Sequence, residues 1–119
     1  MYIGGLLKQR MNLLGYTDIY DLSKDSLVAT DVIEDILDDK MQYEDIDKLN
    51  IQFISEALYC ETKYWIDKKV RDKDWIIAMN KNKDITSIKA NIKIGELQQF
   101  SKDFQFLKNI AEDCEGEGD

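Results

Sequence analysis

The 119 residues include no proline and no histidine. Without proline the commonest helix breaker is missing, which tilts the fold class towards all-α. Without histidine the chain lacks the usual general base and metal ligand at neutral pH. Cysteine is scarce, since Cys60 and Cys114 stand alone and far apart with no metal-like spacing. Cys60 falls on the core side of a helix end without a neighbour that would make it a thiolate, and reads as packing. The N-terminus does not resemble a signal peptide, so a reduced cytoplasm is the expected compartment. No apolar run approaches the roughly 20 residues that a membrane helix needs, and no membrane partner is expected. The glycines form no phosphate loop, because Gly4 and Gly5 lie inside a helix pattern while Gly116 and Gly118 lie in the tail. An enzyme is therefore not expected, and neither is a cofactor or a metal. Asp38-Asp39 and the group Glu44, Asp45 and Asp47 are acidic enough to attract a divalent cation weakly, but neither has a calcium loop with its central glycine.

At this length, with 44% hydrophobic residues, one small domain is expected. Its formal charge of −8 disfavours plain attraction to nucleic acid or to an anionic membrane. Residues 17–39 hold eight acids (Asp18, Asp21, Asp25, Asp31, Glu34, Asp35, Asp38 and Asp39) against Lys24, a balance of −7. Residues 63–93 hold nine bases against four acids, and residues 112–119 hold five acids and no base. Charge is sharply segregated along the chain.

Apolar spacing supplies the elements. Over residues 2–14, Ile3, Leu6, Leu7, Met11 and Leu14 make one helical stripe that Gly15 should stop. Arg10 sits on the apolar side, so its charged head is expected to reach past the stripe to water. Thr17 should cap a short second helix with Ile19, Tyr20 and Leu22 inward, followed by a polar turn over residues 23–27. Thr30 should cap a third, with Val32, Ile33, Ile36 and Leu37 inward. A fourth is expected over residues 43–49 with Ile46 and Leu49 inward, and a fifth over residues 51–60 with Ile51, Ile54, Ala57 and Leu58 inward.

With these positions quoted, residues 3–60 resemble the Xre/Cro-type helix-turn-helix domain common in phage repressors. Ile3, Leu6 and Leu7 match its first helix, Ile19 and Leu22 its second, Ile33 and Ile36 its third, and Ile54, Ala57 and Leu58 its last. The fold implied is an all-α, five-helix Xre/Cro-like module over residues 1–62. A basic connector (63–85), a C-terminal amphipathic helix (86–111) and a disordered acidic tail (112–119) should follow. Residues 73–110 also look like the C-terminal extension of some phage Xre-like proteins. In the C-terminal helix Ile88, Ile92, Phe100, Phe104 and Leu107 form a stripe that would either pair with a second copy or pack back on its own domain.

The resemblance implies that the outward positions of the third helix enter the major groove. Here those positions are Thr30, Asp31, Glu34, Asp35 and Asp38, with Asp18 where the family often has glutamine. Such a face repels phosphate. Three readings follow. The acids favour helix ends and otherwise form a solvated face. Alternatively, Asp18, Asp21, Asp31, Glu34, Asp35 and Asp38 imitate a phosphate backbone and dock on a nucleic-acid-binding protein with a basic surface. Or DNA binds elsewhere, among Lys63, Lys68, Lys69, Arg71, Lys73, Lys81 and Lys83 with Trp65 and Trp75 interleaved, although tryptophans more often pack under a helix. The expected function is DNA-mimicking inhibition, for example an anti-CRISPR against an RNA-guided nuclease, or an antirepressor. The alternative is a dimeric Xre/Cro-type regulator that meets DNA with Lys8, Arg10, Lys68, Lys69 and Arg71.

Overall fold

A computed structural model describes residues 1–81 and 87–103, with the side chains of residues 101–103 left aside. Among the described residues every regular element is helical. In chain order these are α1 (Gly4–Leu13), α2 (Ile19–Ser26), α3 (Thr30–Leu37), α4 (Lys48–Ala57), α5 (Lys68–Lys73), α6 (Trp75–Lys81) and α7 (Ile88–Asp103). Single 3₁₀ turns at Tyr43–Asp45 and Thr62–Trp65 precede α4 and α5.

The apolar stripes converge on one core. Ile3, Leu7, Met11 and Leu14 share it with Leu22, Val28, Ile33 and Ile36 and with Ile51, Ile54 and Leu58. α1 packs on α3, and α2 on both α3 and α4. The approach of α1 to α3 depends on Gly4, where a Cβ would lie 2.7 Å from the Ile36 and Leu37 carbonyl oxygens. Any side chain there would push the two helices apart.

Several local expectations change. Asp18, not Thr17, caps α2, its carboxylate accepting from the Tyr20 N–H at 2.7 Å. Thr30 lies inside α3, whose N-cap is Ala29 with no side-chain bond. Residues 23–26 continue α2 instead of turning, and Gly15 ends α1 with φ +83° as expected. The expected fourth helix is only the Tyr43–Asp45 turn; Ile46 is buried, but Leu49 lies on the outside of α4, and Tyr20 likewise faces out of α2.

The largest revision concerns residues 63–85. Trp65 and Tyr64 are fully buried and packed edge to face, with ring centres 4.9 Å apart, and Ile76 is buried beside them. The Trp65 indole N–H donates to Ser55 Oγ at 2.8 Å, and that hydroxyl donates to the Ile51 carbonyl. Burying a side chain of this size stabilises by about 3 kcal/mol or more. The basic segment thus supplies core as well as connection; Trp75, by contrast, is exposed. Residues 112–119, expected as a disordered tail, and residues 104–111, expected to end the C-terminal helix, lie outside the described residues.

Candidate interaction surface

The α2–α3 corner is built by short-range bonds. Leu27, after the last turn of α2, takes the left-handed conformation with φ 63°. The Ser23 hydroxyl donates to the Val28 carbonyl, and the Val28 N–H donates to Ser26 Oγ, which turns Val28 into the core and leaves Leu27 outside. α3 then lays Ile33 and Ile36 inward with no exposure. With those two fixed, helical periodicity sends Asp31, Glu34, Asp35 and Asp38 to the opposite side, one stripe at spacings of three, one and three.

Asp18, Asp21, Asp31, Glu34 and Asp38 are exposed and Asp35 is half-buried. Among the described residues no lysine or arginine forms an ion pair with any of the six; the pairs join the N-terminal amine to Glu44, Arg10 to Asp74 and Lys68 to Asp72. Helix dipoles account for part of the charge. Asp18 and Asp31 stand at the favourable N-terminal ends of α2 and α3, whereas Asp38 stands at the C-terminal end of α3, where negative charge is unfavourable by about 0.3–1 kcal/mol. The fold therefore explains the first two carboxylates and not the last. Asp25 has another occupation, accepting from the Tyr16 hydroxyl; burial first, and this carboxylate second, push the Tyr16 phenol up.

The basic residues do not converge in the same way. Arg10, expected at the surface, has no exposure. Its Nε donates to the Leu58 carbonyl at 3.0 Å, and its terminal nitrogens donate to the Tyr59 carbonyl at 3.2 Å and to both Asp74 oxygens at 2.8 and 3.2 Å. Its guanidinium also lies 4.9 Å from the Tyr64 ring centre. Burial opposes this charge, but the Asp74 hydrogen bond holds its pKa above the ordinary value. Arg10 is thus a structural cation, unavailable to phosphate. Arg71 is half-buried and donates to the Tyr64 carbonyl at 2.7 Å, and Lys68 pairs with Asp72 one turn away. Lys8, Lys63, Lys69, Lys73 and Lys81 are exposed, while Lys83 lies outside the described residues.

No family model, curated protein or solved structure matches the chain. Among the described residues no three cysteine or carboxylate side chains converge as metal ligands. In the acidic group Glu44, Asp45 and Asp47, Glu44 holds the N-terminal amine at 2.9 Å and Asp47 caps α4 through the Leu49 N–H at 2.8 Å. No described helix is long and apolar enough to cross a membrane.

The stripe expected to dimerise divides. Ile92 is half-buried against the protein's own core, and Ile88 is half exposed with its methyl group over Gly15. Phe100 is exposed, and Phe104 and Leu107 lie outside the described residues. Spacing overlooked Asp74, which caps α6 through the Ile76 and Ile77 N–H groups while binding Arg10 and Gln98. The one hint was Asp74-Trp75 after a basic run, an N-cap signal.

Proposed function

We propose that the protein acts by binding a basic, nucleic-acid-binding protein through the outer face of α2 and α3, occupying the place of a phosphate backbone. The observation that carries this reading is the stripe Asp31, Glu34, Asp35 and Asp38, directed away from a core that fixes α3 and matched by no cation of the same chain among the described residues. Asp18 and Asp21 extend it onto α2. A row of carboxylates fixed on a helix needs little reorganisation to meet arginine and lysine, and it speeds encounter with a cationic partner. The hydrophobic spacing of residues 3–60, read as resembling that of phage Xre/Cro-type helix-turn-helix domains, makes an RNA-guided nuclease or a repressor the partner class to test first.

The regulator alternative loses Arg10 and would rely on Lys8, Lys69 and other exposed lysines at the phosphates. Mobility shift with random and promoter DNA at low salt separates the readings. Submicromolar DNA binding would replace the inhibitor reading with the regulator. The inhibitor reading expects no shift, and competition with DNA for a purified RNA-guided nuclease or repressor. Converting Asp31, Glu34, Asp35 and Asp38 to lysine should abolish that competition while far-UV circular dichroism stays native; competition that survives the reversal removes these residues from the site.

A further inference from the structure

Where α1, the start of α2 and the end of α3 meet, the surface sinks into a cavity of about 280 Å³. Met11, Ile19, Leu37 and Tyr16 form its apolar wall, and Asp38, the last acid of the α3 stripe, stands in the same lining. The Tyr16 hydroxyl donates to Asp25, which holds the ring in place as a wall. Thr17 also lines the cavity. Because Asp18 caps α2 in its stead, the Thr17 hydroxyl has no hydrogen-bond partner among the described residues. The C-terminal end of α3 adds the negative pole of the helix to the charge of Asp38. Lys8, on α1, borders the cavity as well, yet it forms no ion pair among the described residues, with Asp38 or with any other acid. The volume lies just below the roughly 300–1,000 Å³ of sites that take drug-sized molecules, and one long side chain fills such a space.

We propose that this cavity receives an arginine side chain of the basic partner, its methylene stem against Met11, Ile19 and Leu37 and its guanidinium on Asp38. The proposal rests on the reading of α2 and α3 as the partner-binding face and names the group that this face holds most firmly. Charge selects the occupant. An anion is repelled by Asp38 and by the exposed Asp39 beside it, while a neutral apolar group would strip water from the Asp38 carboxylate and leave it unpaired. Between the two basic side chains, arginine fits better than lysine. Its planar, weakly hydrated guanidinium lies on an aromatic ring such as that of Tyr16, and its fork of donors reaches a carboxylate and a second acceptor such as the Thr17 hydroxyl together. Lys8 opposes entry, but it is exposed, and its flexible stem carries the ammonium out to water. The contact gives Asp38 a counter-charge at a helix end where the fold supplies none, and arginine in a pocket is a usual centre of binding energy.

The full chain, labelled with ¹⁵N, is titrated with N-acetyl-arginine amide and, separately, with N-acetyl-lysine amide. The arginine compound should shift the amide signals of Asn12, Thr17, Leu37 and Asp38 and saturate, with a dissociation constant on the order of millimolar. The lysine compound should bind at least about threefold more weakly. Asp38→Asn should weaken the arginine compound by at least about threefold, and Lys8→Gln should strengthen it by about twofold, because one removes the attracting charge and the other the opposing one. Both substitutions fall on exposed side chains, and the comparison of the two compounds on the unaltered chain needs no variant. Shifts that do not saturate, that spread evenly over the acids of α2 and α3, or that are equal for the two compounds overturn the proposal. So does arginine binding that Asp38→Asn leaves unchanged. If the cavity fails in this way while reversing the α3 charges still abolishes competition with DNA, the acidic face stands without an arginine socket; saturable arginine binding without such competition keeps the socket and removes the inhibitor.

Discussion

Replacing Arg10 with methionine keeps an unbranched apolar stem and removes the charged guanidinium, so it tests the buried pair with Asp74. The substitution deletes the bonds to the Leu58 and Tyr59 carbonyls and both bonds to the carboxylate. Asp74, only 6% exposed, would keep Gln98 Nε2 at 2.9 Å and the Ile76 and Ile77 N–H groups at 3.0 and 3.1 Å. Those donors soften the loss but supply no counter-charge. Removing one partner of a buried ion pair costs about 3–5 kcal/mol, a large share of the roughly 5–15 kcal/mol that holds a domain together. With a urea dependence of about 1–3 kcal/mol per molar, the unfolding midpoint should fall by about 2 M. Adding Asp74→Asn should recover at least about 1 kcal/mol, because the amide oxygen still accepts from the α6 N–H groups with no charge left buried. Urea unfolding of wild type, both single variants and the double variant, followed by far-UV circular dichroism, closes the cycle. A loss below about 1 kcal/mol for Arg10→Met, or a coupling near zero, would refute the assignment of Arg10 as a structural cation.

Leu27, 81% exposed at φ 63°, gains nothing from its side chain within the fold. Leu27→Gly should therefore stabilise by about 0.5–1 kcal/mol, seen as a higher melting temperature, and a lower one would mean that the turn is unstrained. Gly95→Ala should cost about 1–3 kcal/mol by overpacking against Tyr59, and amide exchange should speed up first in α7; unchanged exchange would contradict the close approach. Burial pushes the Tyr64 phenol up to about 12, and its hydroxyl has no hydrogen-bond partner among the described residues. Its folded pKa lies above the unfolded value of about 10, so its contribution is intact below that pH and is lost as pH rises through about 12. Tyr64→Phe should hold stability at neutral pH and reduce the alkaline loss, read as urea midpoints near pH 8 and pH 11.5; an equal alkaline loss in both proteins would count against it.

Sequence periodicity alone was enough for the all-helical class and for much of the core. The stripes of α1, α3 and α4 each bury the side expected, because a 3.6-residue repeat is a local property that needs no knowledge of neighbours. The outward position of Asp31, Glu34 and Asp38 follows from the same rule once Ile33 and Ile36 face in. Caps were less legible, since Thr17 and Asp18 are both good capping residues and only the backbone path selects the aspartate. Tertiary structure decided what depends on residues distant in sequence. Arg10 lies inside because Asp74 and the carbonyls of Leu58 and Tyr59 surround it, partners 48 to 64 positions away that no spacing rule connects. Trp65 belongs to the core because Ser55 waits for its N–H, and the inner side of α7 is polar because Leu13, Tyr59 and Asp74 offer it acceptors. A charge is tolerated in a protein interior only where opposite charge and hydrogen bonds converge on it, and that convergence is a property of the folded chain.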